Sequence, residues 1–260
     1  MATYLDRILA AHRASAGSDR RSVDQLREQA SSAPPARGFT AALAESVGLG
    51  VIAEVKRASP SKGPLFVDLD PAVVARSYAA GGATCLSVLT DEEWFAGSAA
   101  DLEQARDSVT VPVLRKDFTV SEADVCDARL MGADAVLLIA AALDDEELRA
   151  FHQLATEIGL DALVEIHDEA ELERALAVGA TLVGVNQRDL VTFDVDTDRA
   201  VRLAPQMPAG VVRVAESGVR GVADATRLAE AGYQAVLVGE SLVTAGDPRA
   251  AVAALRRIEV

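Results

Sequence analysis

Lysine is scarce in this sequence, although positive charge is not. The chain contains 22 arginines but three lysines, Lys56, Lys62 and Lys116. All three lie at or just beyond the ends of apolar runs that are typical of β-strands. An ε-amine differs from a guanidinium because burial and neighbouring charge can change its pKa enough for it to release a proton. This placement indicates proton chemistry at the strand ends. The alternative is codon bias that has left three ordinary surface lysines.

Cysteines, histidines and long apolar runs are also few. Cys85 and Cys126 belong to no Cys-x-x-Cys pair or Cys/His cluster, so we expect buried thiols in a reducing cytosol. The three histidines lack ligand spacing, and we predict no metal. No apolar run approaches the roughly 20 residues that span a bilayer. The first residues lack the basic region of a signal peptide, so we expect a cytoplasmic protein with no membrane contact.

Acidic residues outnumber basic ones, and the formal net charge is −15. Such a surface disfavours a nucleic-acid partner because phosphate binding needs a basic field. An anionic substrate would therefore have to be bound by a local cluster of cations. The composition leaves any protein partner unknown.

Short apolar runs alternate with helix-type segments from residue 51 onward. Eight runs begin at residues 51, 83, 111, 134, 161, 181, 211 and 235. Strand and helix repeated eight times predict a parallel sheet closed into a (βα)8 TIM barrel of the α/β class, rather than two domains. Helix-ending glycines before every second strand support this, namely Gly82, Gly132, Gly179 and Gly232.

The first fifty residues do not follow this alternation. Two amphipathic helices are predicted over Tyr4 to Ala14 and Ser22 to Ser31, followed by a proline-containing break. So short a piece buries too little surface to be stable alone. We therefore expect residues 1–49 to be a helical extension that packs on a barrel formed by residues 50–260, near its mouth.

Isolated polar residues end several of the apolar strands. In a βα barrel the chemistry takes place at the C-terminal ends of the strands. One such residue would usually be a hydrogen-bonded core group, but five strands that each contribute one predict a shared active site. The residues are Glu54 and Lys56 on strand one, Lys116 on strand three, Glu165 on strand five, Asn186 followed by Arg188 on strand six, and Glu216 on strand seven.

Two glycine-containing segments, residues 216–218 after strand seven and residues 239–241 after strand eight, predict a phosphate cradle. Backbone amides in these loops are where barrels commonly bind phosphate. Glycine after a strand is otherwise only a turn. Trp94 and Phe95 could form a wall for an aromatic ring or pack locally, and we interpret His167, on the strand face of Glu165, as a polar rim residue.

Seven segments together resemble indole-3-glycerol-phosphate synthases, a family of tryptophan-pathway enzymes with a βα-barrel fold. The similarity covers essentially the whole chain from residue 50 on. Two departures are Gln187, where the family more often has a second asparagine, and Ala215, where serine is common. The segments are EVKRASPSKG at 54, LRKDF at 114, GADAVLLI at 132, LVEIHDEAEL at 163, GVNQRDLVTFDVD at 184, AESGV at 215 and VGESL at 238.

This resemblance implies a reaction and a set of residue roles. The substrate would be 1-(2-carboxyphenylamino)-1-deoxyribulose 5-phosphate, closed to an indole ring with loss of carbon dioxide and water and without a metal or organic cofactor. Lys116 would be the general acid and Glu165 its partner in dehydration. Lys56 would bind the substrate carboxylate, with a part in proton transfer left open. The other implied residues are Glu54 and Asn186, which position the lysines and the substrate hydroxyls; Glu216 and Phe118, which bind substrate; and Ser59, Arg188, Ser217, Gly218, Gly239 and Glu240, which with Lys56 line the phosphate and ribulose end.

Two alternatives stay open at this point. A phosphoribosylanthranilate isomerase shares the barrel and a similar substrate, but it would be expected to carry a catalytic Cys/Asp pair, and Cys85 is not at a suitable strand end. A silent barrel that binds a sugar phosphate as a sensor would not need acids and bases on strands one, three and five.

Overall fold

A computed structural model describes residues 3–60 and 62–260. Its parallel strands close into a barrel in which β1 pairs with β8, and this confirms the predicted (βα)8 architecture. The barrel strands are β1 (Gly50–Val55), β2 (Cys85–Leu89), β3 (Val113–Lys116), β4 (Ala135–Ile139), β5 (Asp161–Ile166), β6 (Leu182–Asn186), β7 (Val212–Glu216) and β8 (Ala235–Val238).

Helices separate the strands and cover the barrel. Gly82, Gly132, Gly179 and Gly232 take φ of +92°, +87°, +81° and +93°, a backbone region that favours glycine, and each ends a helix as predicted. In chain order the helices are α1 (Tyr4–Ser18), α2 (Val23–Ser31), α3 (Phe39–Ala44), α4 (Pro71–Ala80), α5 (Glu92–Phe95), α6 (Ala99–Asp107), α7 (Glu122–Leu130), α8 (Asp145–Glu157), α9 (Glu169–Ala177), α10 (Arg199–Leu203), α11 (Val222–Glu230), α12 (Glu240–Val243) and α13 (Pro248–Arg256).

The buried apolar residues form two clusters, as a barrel requires. One cluster lies between the strands and the surrounding helices. The other fills the barrel itself and includes Ile52, Leu114, Leu137 and Leu163. Because alternate strand residues point inward, the apolar filling stops where the inward positions become polar, at the C-terminal ends of the strands.

The N-terminal helices lie against different parts of the barrel. Helix α1 continues to Ser18, beyond the predicted end at Ala14, and α2 packs against α7. Helix α3, which the sequence pattern does not predict, closes the opposite end of the barrel with the fully buried Phe39 and Leu43. Its short length gives no periodic signal, and it depends on barrel contacts, such as the 2.9 Å bond from the Thr40 amide to Asp161 Oδ2.

A small antiparallel hairpin follows β1. It pairs Ala58–Ser59 with Gly63–Pro64, and Ser61 lies outside the described residues. The hairpin extends the segment that begins with Lys56 over the C-terminal end of the barrel. Among the described residues, no helix is both long and apolar enough to cross a membrane.

Candidate active site

A cavity of about 790 Å³ opens at the C-terminal ends of the strands. Every residue that the sequence places in the site lines this one cavity, so none of those positions lies elsewhere. The residues are Glu54, Lys56, Ser59, Lys116, Phe118, Glu165, Asn186, Arg188, Glu216, Ser217, Gly218, Gly239 and Glu240.

Two lysines meet glutamates in the cavity floor. Lys116 Nζ lies 3.2 Å from Glu165 Oε2 and 3.9 Å from Glu216 Oε2. Lys56 Nζ contacts Glu54 Oε1 at the end of β1. Both carboxylates beside Lys116 are almost completely buried, at 1% and 2% exposure, so water screens these charges weakly.

Asn186 fixes the orientation of Glu165. Its Nδ2 donates to Glu165 Oε1 over 3.1 Å, while its Oδ1 accepts the Arg188 amide at 3.0 Å. One oxygen of Glu165 therefore accepts from an amide and the other from the Lys116 ammonium. This arrangement leaves the carboxylate little rotational freedom.

Burial and charge act in opposite directions on this ion pair. Burial alone would lower the pKa of Lys116. The negative charges of Glu165, Glu216 and Glu54 raise it by more than burial lowers it, so the pKa lies above the usual lysine value. Burial would also raise the pKa of Glu165, yet Lys116, His167 and a hydrogen bond from Asn186 lower it to about 2. Lys116 is thus a cation and Glu165 an anion at neutral pH.

The pKa of Glu216 shifts in the opposite direction from that of Glu165. Burial first, and then the negative charge of Glu165, raise its pKa well above 4.5. Its Oε1 has no hydrogen-bond partner among the described residues, whereas both oxygens of Glu165 are bound. Two neighbouring buried carboxyls hold a proton between them because like charges cannot both ionise cheaply. The opposite directions of the two pKa shifts favour Glu216 as the group that carries it.

Two glycines provide space for these side chains, and sequence reasoning missed one of them. A Cβ on Gly184, which lies on β6 and pairs with Glu165 on β5, would lie 2.1 Å from Glu216 Oε1. A Cβ on Gly239 would lie 2.2 Å from Glu54 Oε1. A glycine inside an apolar strand often marks such a close approach, and that signal is present in the sequence at Gly184.

The loops after β7 and β8 are tied to each other and to β6. Ser217 adopts φ of +63°, a strained value for a residue other than glycine, and its carbonyl accepts Gln187 Nε2 at 2.7 Å. Ser241 Oγ donates to the Val219 carbonyl over 2.9 Å. The glutamine that departs from the usual family residue thus holds the strained loop in place.

An apolar wall lines the side of the cavity nearest β3 and β4. It contains Phe95, Phe118, Leu137 and Ile139. Trp94 packs instead against Tyr4, with ring centroids 5.1 Å apart. One of the two aromatic residues named from the sequence therefore lines the cavity, and the other supports α1.

Helix α1 contributes three lining residues, Tyr4, Leu5 and Ile8, which sequence reasoning did not place there. The pattern of α1 predicts an apolar face but carries no signal for what that face covers. A polar network attaches this helix to the rim of the barrel through His12, whose Nε2 lies 2.8 Å from Asp91 Oδ2.

Asp91 and Asp117 come close to His12 but are bound by protein donors. Asp91 Oδ1 accepts the Trp94 amide at 2.6 Å, and Asp117 Oδ2 accepts Arg115 Nη2 at 2.9 Å. Asp117 Oδ1 accepts the Phe118 amide at 2.8 Å. The cluster therefore holds α1 and the loops after β2 and β3 together.

Comparison with known proteins assigns the family. The family model for indole-3-glycerol phosphate synthase matches residues 5–255. The chain belongs to this family. An indole-3-glycerol phosphate synthase of Mycobacterium tuberculosis (strain ATCC 25618 / H37Rv) is 52% identical over 256 residues, which cover 98% of this chain and 94% of the relative. The synthase of Mycolicibacterium smegmatis is 51% identical over the same shares.

Solved structures of more distant proteins share the fold alone. A thiamine phosphate pyrophosphorylase from Pyrococcus furiosus aligns with a TM-score of 0.60 at 17% identity, over 80% of this chain and 94% of that one. An N-acetylmannosamine-6-phosphate 2-epimerase from Clostridium perfringens also gives 0.60, at 13% identity, over 76% and 89%. Family membership, in contrast, gives this chain the synthase activity, a decarboxylating lyase reaction of tryptophan biosynthesis.

Proposed function

We propose that Lys116 and Glu165 move the protons of indole ring closure from the two ends of one buried ion pair. Lys116 would protonate the ketone oxygen of the carboxyphenylamino-deoxyribulose phosphate as the aromatic carbon attacks it. Glu165 would exchange a proton with the hydroxylated intermediate during dehydration. The observation that supports these roles is the 3.2 Å contact between Lys116 Nζ and Glu165 Oε2 inside the cavity.

The charge state of Lys116 suits a general acid. Its raised pKa keeps the proton in place until substrate binds. Ring closure then converts the ketone oxygen towards an alkoxide, which is basic enough to take a proton from an ammonium. The nearby glutamates stabilise the cation before reaction, so the donor waits in its protonated form throughout the normal pH range.

Lys56 is well placed for the substrate carboxylate. It ends β1 at the cavity, is 15% exposed and has Glu54 as its partner. A substrate carboxylate would compete with Glu54 for this ammonium until it leaves as carbon dioxide. Phe118 and the apolar wall would hold the aromatic ring beside it, while Asn186 and the protonated Glu216 would bind the sugar hydroxyls.

Phosphate would bind at the opposite side of the mouth, at the loops after β7 and β8. Ser217, Gly218 and Gly239 would offer backbone amides there. Lys62, 3.5 Å from Glu240 across the mouth, adds a cation to this side. Ser59, Arg188, Lys56 and the backbone amide of Glu240 complete the proposed phosphate and ribulose set.

Chemical balance places one further demand on the site. The substrate carboxylate is lost as neutral carbon dioxide and a hydroxyl is lost as water, so each turnover consumes a proton. That proton has to come from solvent and reach the buried pair. The protonation states of Lys116 and Glu165 must therefore be restored between turnovers. Their side chains must also be oriented during each turnover.

The geometry does not favour the two alternatives, a phosphoribosylanthranilate isomerase and a barrel that binds a sugar phosphate as a sensor. Cys85 is fully buried in the inner core near α3, where its Sγ lies 3.8 Å from the Phe39 carbonyl, at the opposite end from the cavity. A sensor needs no buried acid and base in contact. The acidic composition and the two buried free thiols support a cytoplasmic enzyme that acts on a sugar phosphate and binds no nucleic acid.

The decisive experiment compares Lys116→Arg with Lys116→Ala. A guanidinium keeps the charge but does not release a proton near neutral pH, so we expect both variants to lose nearly all turnover. Substrate affinity should stay within about tenfold, because a proton donor acts mainly in the transition state. Indole fluorescence after mixing with substrate measures turnover, and substantial activity in the arginine variant would remove Lys116 from the role of acid.

A second experiment separates the two steps. Glu165→Gln should slow dehydration more than condensation, so that a decarboxylated, still hydroxylated intermediate accumulates in single turnovers followed by mass spectrometry. Accumulation of unreacted open-chain substrate instead would show that the two steps are assigned to the wrong residues.

A further inference from the structure

His167 lies directly after β5 and behind Glu165, outside the cavity lining. Its ring is clamped by Glu171 at the start of α9. Glu171 Oε2 lies 3.0 Å from His167 Nδ1 and also accepts the His167 amide at 2.7 Å. An ionised carboxylate can only accept, so Nδ1 carries a hydrogen and the orientation of the ring is fixed.

The other ring nitrogen faces the proposed catalytic carboxylate. His167 Nε2 is buried, has no hydrogen-bond partner among the described residues and lies 3.7 Å from Glu165 Oε1. Because Nδ1 is already a donor, the charge of the ring is decided at Nε2. A proton there lies next to Glu165 Oε1, on a ring that does not line the cavity.

The charged groups around the ring favour its protonated form. Glu165 faces it from β5, Glu171 from α9 and Arg199 from α10. Burial lowers the pKa of His167, and Arg199 lowers it slightly further, but the hydrogen bond that Nδ1 donates to Glu171 and the charges of both glutamates outweigh these effects and raise it. The positive ring in turn lowers the pKa of Glu165.

We propose that His167 is a positioning residue for the synthase reaction, which acts with Lys116 to keep Glu165 ionised between turnovers through the charge at Nε2 while Glu171 fixes its ring. The inference rests on the proposed role of Glu165. It gives a function to the approach of His167 Nε2 to Glu165 Oε1, the oxygen that also accepts from Asn186. It also means that the acid range of the enzyme depends on a residue that never touches substrate.

Replacement of His167 should change the pH profile and leave substrate binding intact. Without the positive ring the pKa of Glu165 rises, so the acid limb of kcat and of single-turnover dehydration should move to higher pH, by about one unit. KM should stay within about twofold of the wild-type value, since His167 does not line the cavity. His167→Asn keeps an amide donor near Glu171 and His167→Gln keeps one near Glu165, and both lack the charge.

Two further variants make the test specific. Glu171→Gln removes one of the two acids that keep the ring charged, so it should shift the acid limb in the same direction by less. His152→Gln, on α8 and outside the cavity lining, is the matched control and should leave the profile unchanged. If circular dichroism shows that neither His167 variant folds, Glu171→Gln decides the question.

The inference is wrong if folded His167→Asn and His167→Gln keep the wild-type acid limb, or if they raise KM while kcat is unchanged. The role of Glu165 is tested separately. Should Glu165→Gln retain full turnover, the proposed function of Glu165 fails, whatever the His167 variants do.

Discussion

At the scale of single residues, charge assignment within the cavity depends on which carboxyl carries the proton. Glu165 has both oxygens bound by donors and Glu216 has one oxygen free of any described partner, so the two glutamates differ although their residue type is the same. Sequence could place both at strand ends. It could not show that they face one another across Gly184, because Glu165 on β5 and Glu216 on β7 come to lie on either side of β6 only in three dimensions.

Glu216→Gln tests the raised pKa of this carboxyl. A carboxyl whose folded pKa is raised above its unfolded value takes up a proton on folding, so its contribution to stability falls as pH rises from about 4.5 towards the raised value. The wild-type protein carries this pH-dependent loss and the glutamine variant does not. We therefore expect the variant to gain stability relative to wild type as pH increases from 5 to 8, measured by urea unfolding at each pH.

The sign of that difference is the informative part. Glutamine resembles a protonated glutamic acid in shape and donor capacity, so near pH 5 the two proteins should be of similar stability, within about 1 kcal/mol. A variant that loses stability relative to wild type as pH rises would mean that the pKa of Glu216 is not raised in the folded protein.

At the scale of elements, the sequence predicts the parts whose own residues determine them. The strands are found because each is a short apolar run, and the helix ends because glycine tolerates positive φ. Helix α3 and the hairpin after β1 are missed because their residues form these elements only against the closed barrel. The apolar face of α1 is likewise visible in the sequence, but its position over the cavity is set by the His12 to Asp91 contact.

The loop after β7 offers a test of phosphate binding. Gly218 lies in it at φ of +75°, and an added Cβ would meet Val195 Cγ1 at 2.8 Å, so any side chain shifts the loop away from its present position. We expect Gly218→Ala to raise KM by more than about tenfold, a loss of at least ~1.4 kcal/mol of binding. The inhibition constant of inorganic phosphate should weaken in parallel.

Gly221 is the matched control in the same loop, because an added Cβ there meets nothing within 4 Å and the residue does not line the cavity. Gly221→Ala should leave both constants unchanged. If Gly218→Ala raises KM but leaves inhibition by phosphate unaltered, phosphate binds elsewhere. The substrate would then lie across the mouth in a different orientation. Gly239 is unsuitable for this purpose, because a side chain there collides with Glu54 in the catalytic floor.

At the scale of the whole molecule, the barrel separates stability from chemistry between its two ends. Residues at the N-terminal ends of strands support the fold, and those at the C-terminal ends act on substrate. Strand β1 pairs with β8 to close the barrel, and the segment before β1 is also joined to the end of α13. The Leu49 amide donates to the Ile258 carbonyl over 2.8 Å.

Arg256 is the main polar link at that closure. Its Nη1 donates to Ser46 Oγ and to the Leu49 carbonyl, each over 2.6 Å. Loss of these charge-assisted bonds should cost about 1–3 kcal/mol, which lowers the melting temperature of a barrel of this size by several degrees at about 2–4 °C per kcal/mol. The cavity lies at the other end, so kcat and KM of Arg256→Ala at 25 °C should equal the wild-type values.

The exposed neighbour of Arg256 provides the control, and Arg257→Ala should change neither the melting temperature nor the activity. A loss of activity in folded Arg256→Ala at 25 °C would mean that barrel closure controls the geometry of the Lys116 and Glu165 pair, and that the two ends of the barrel are not independent.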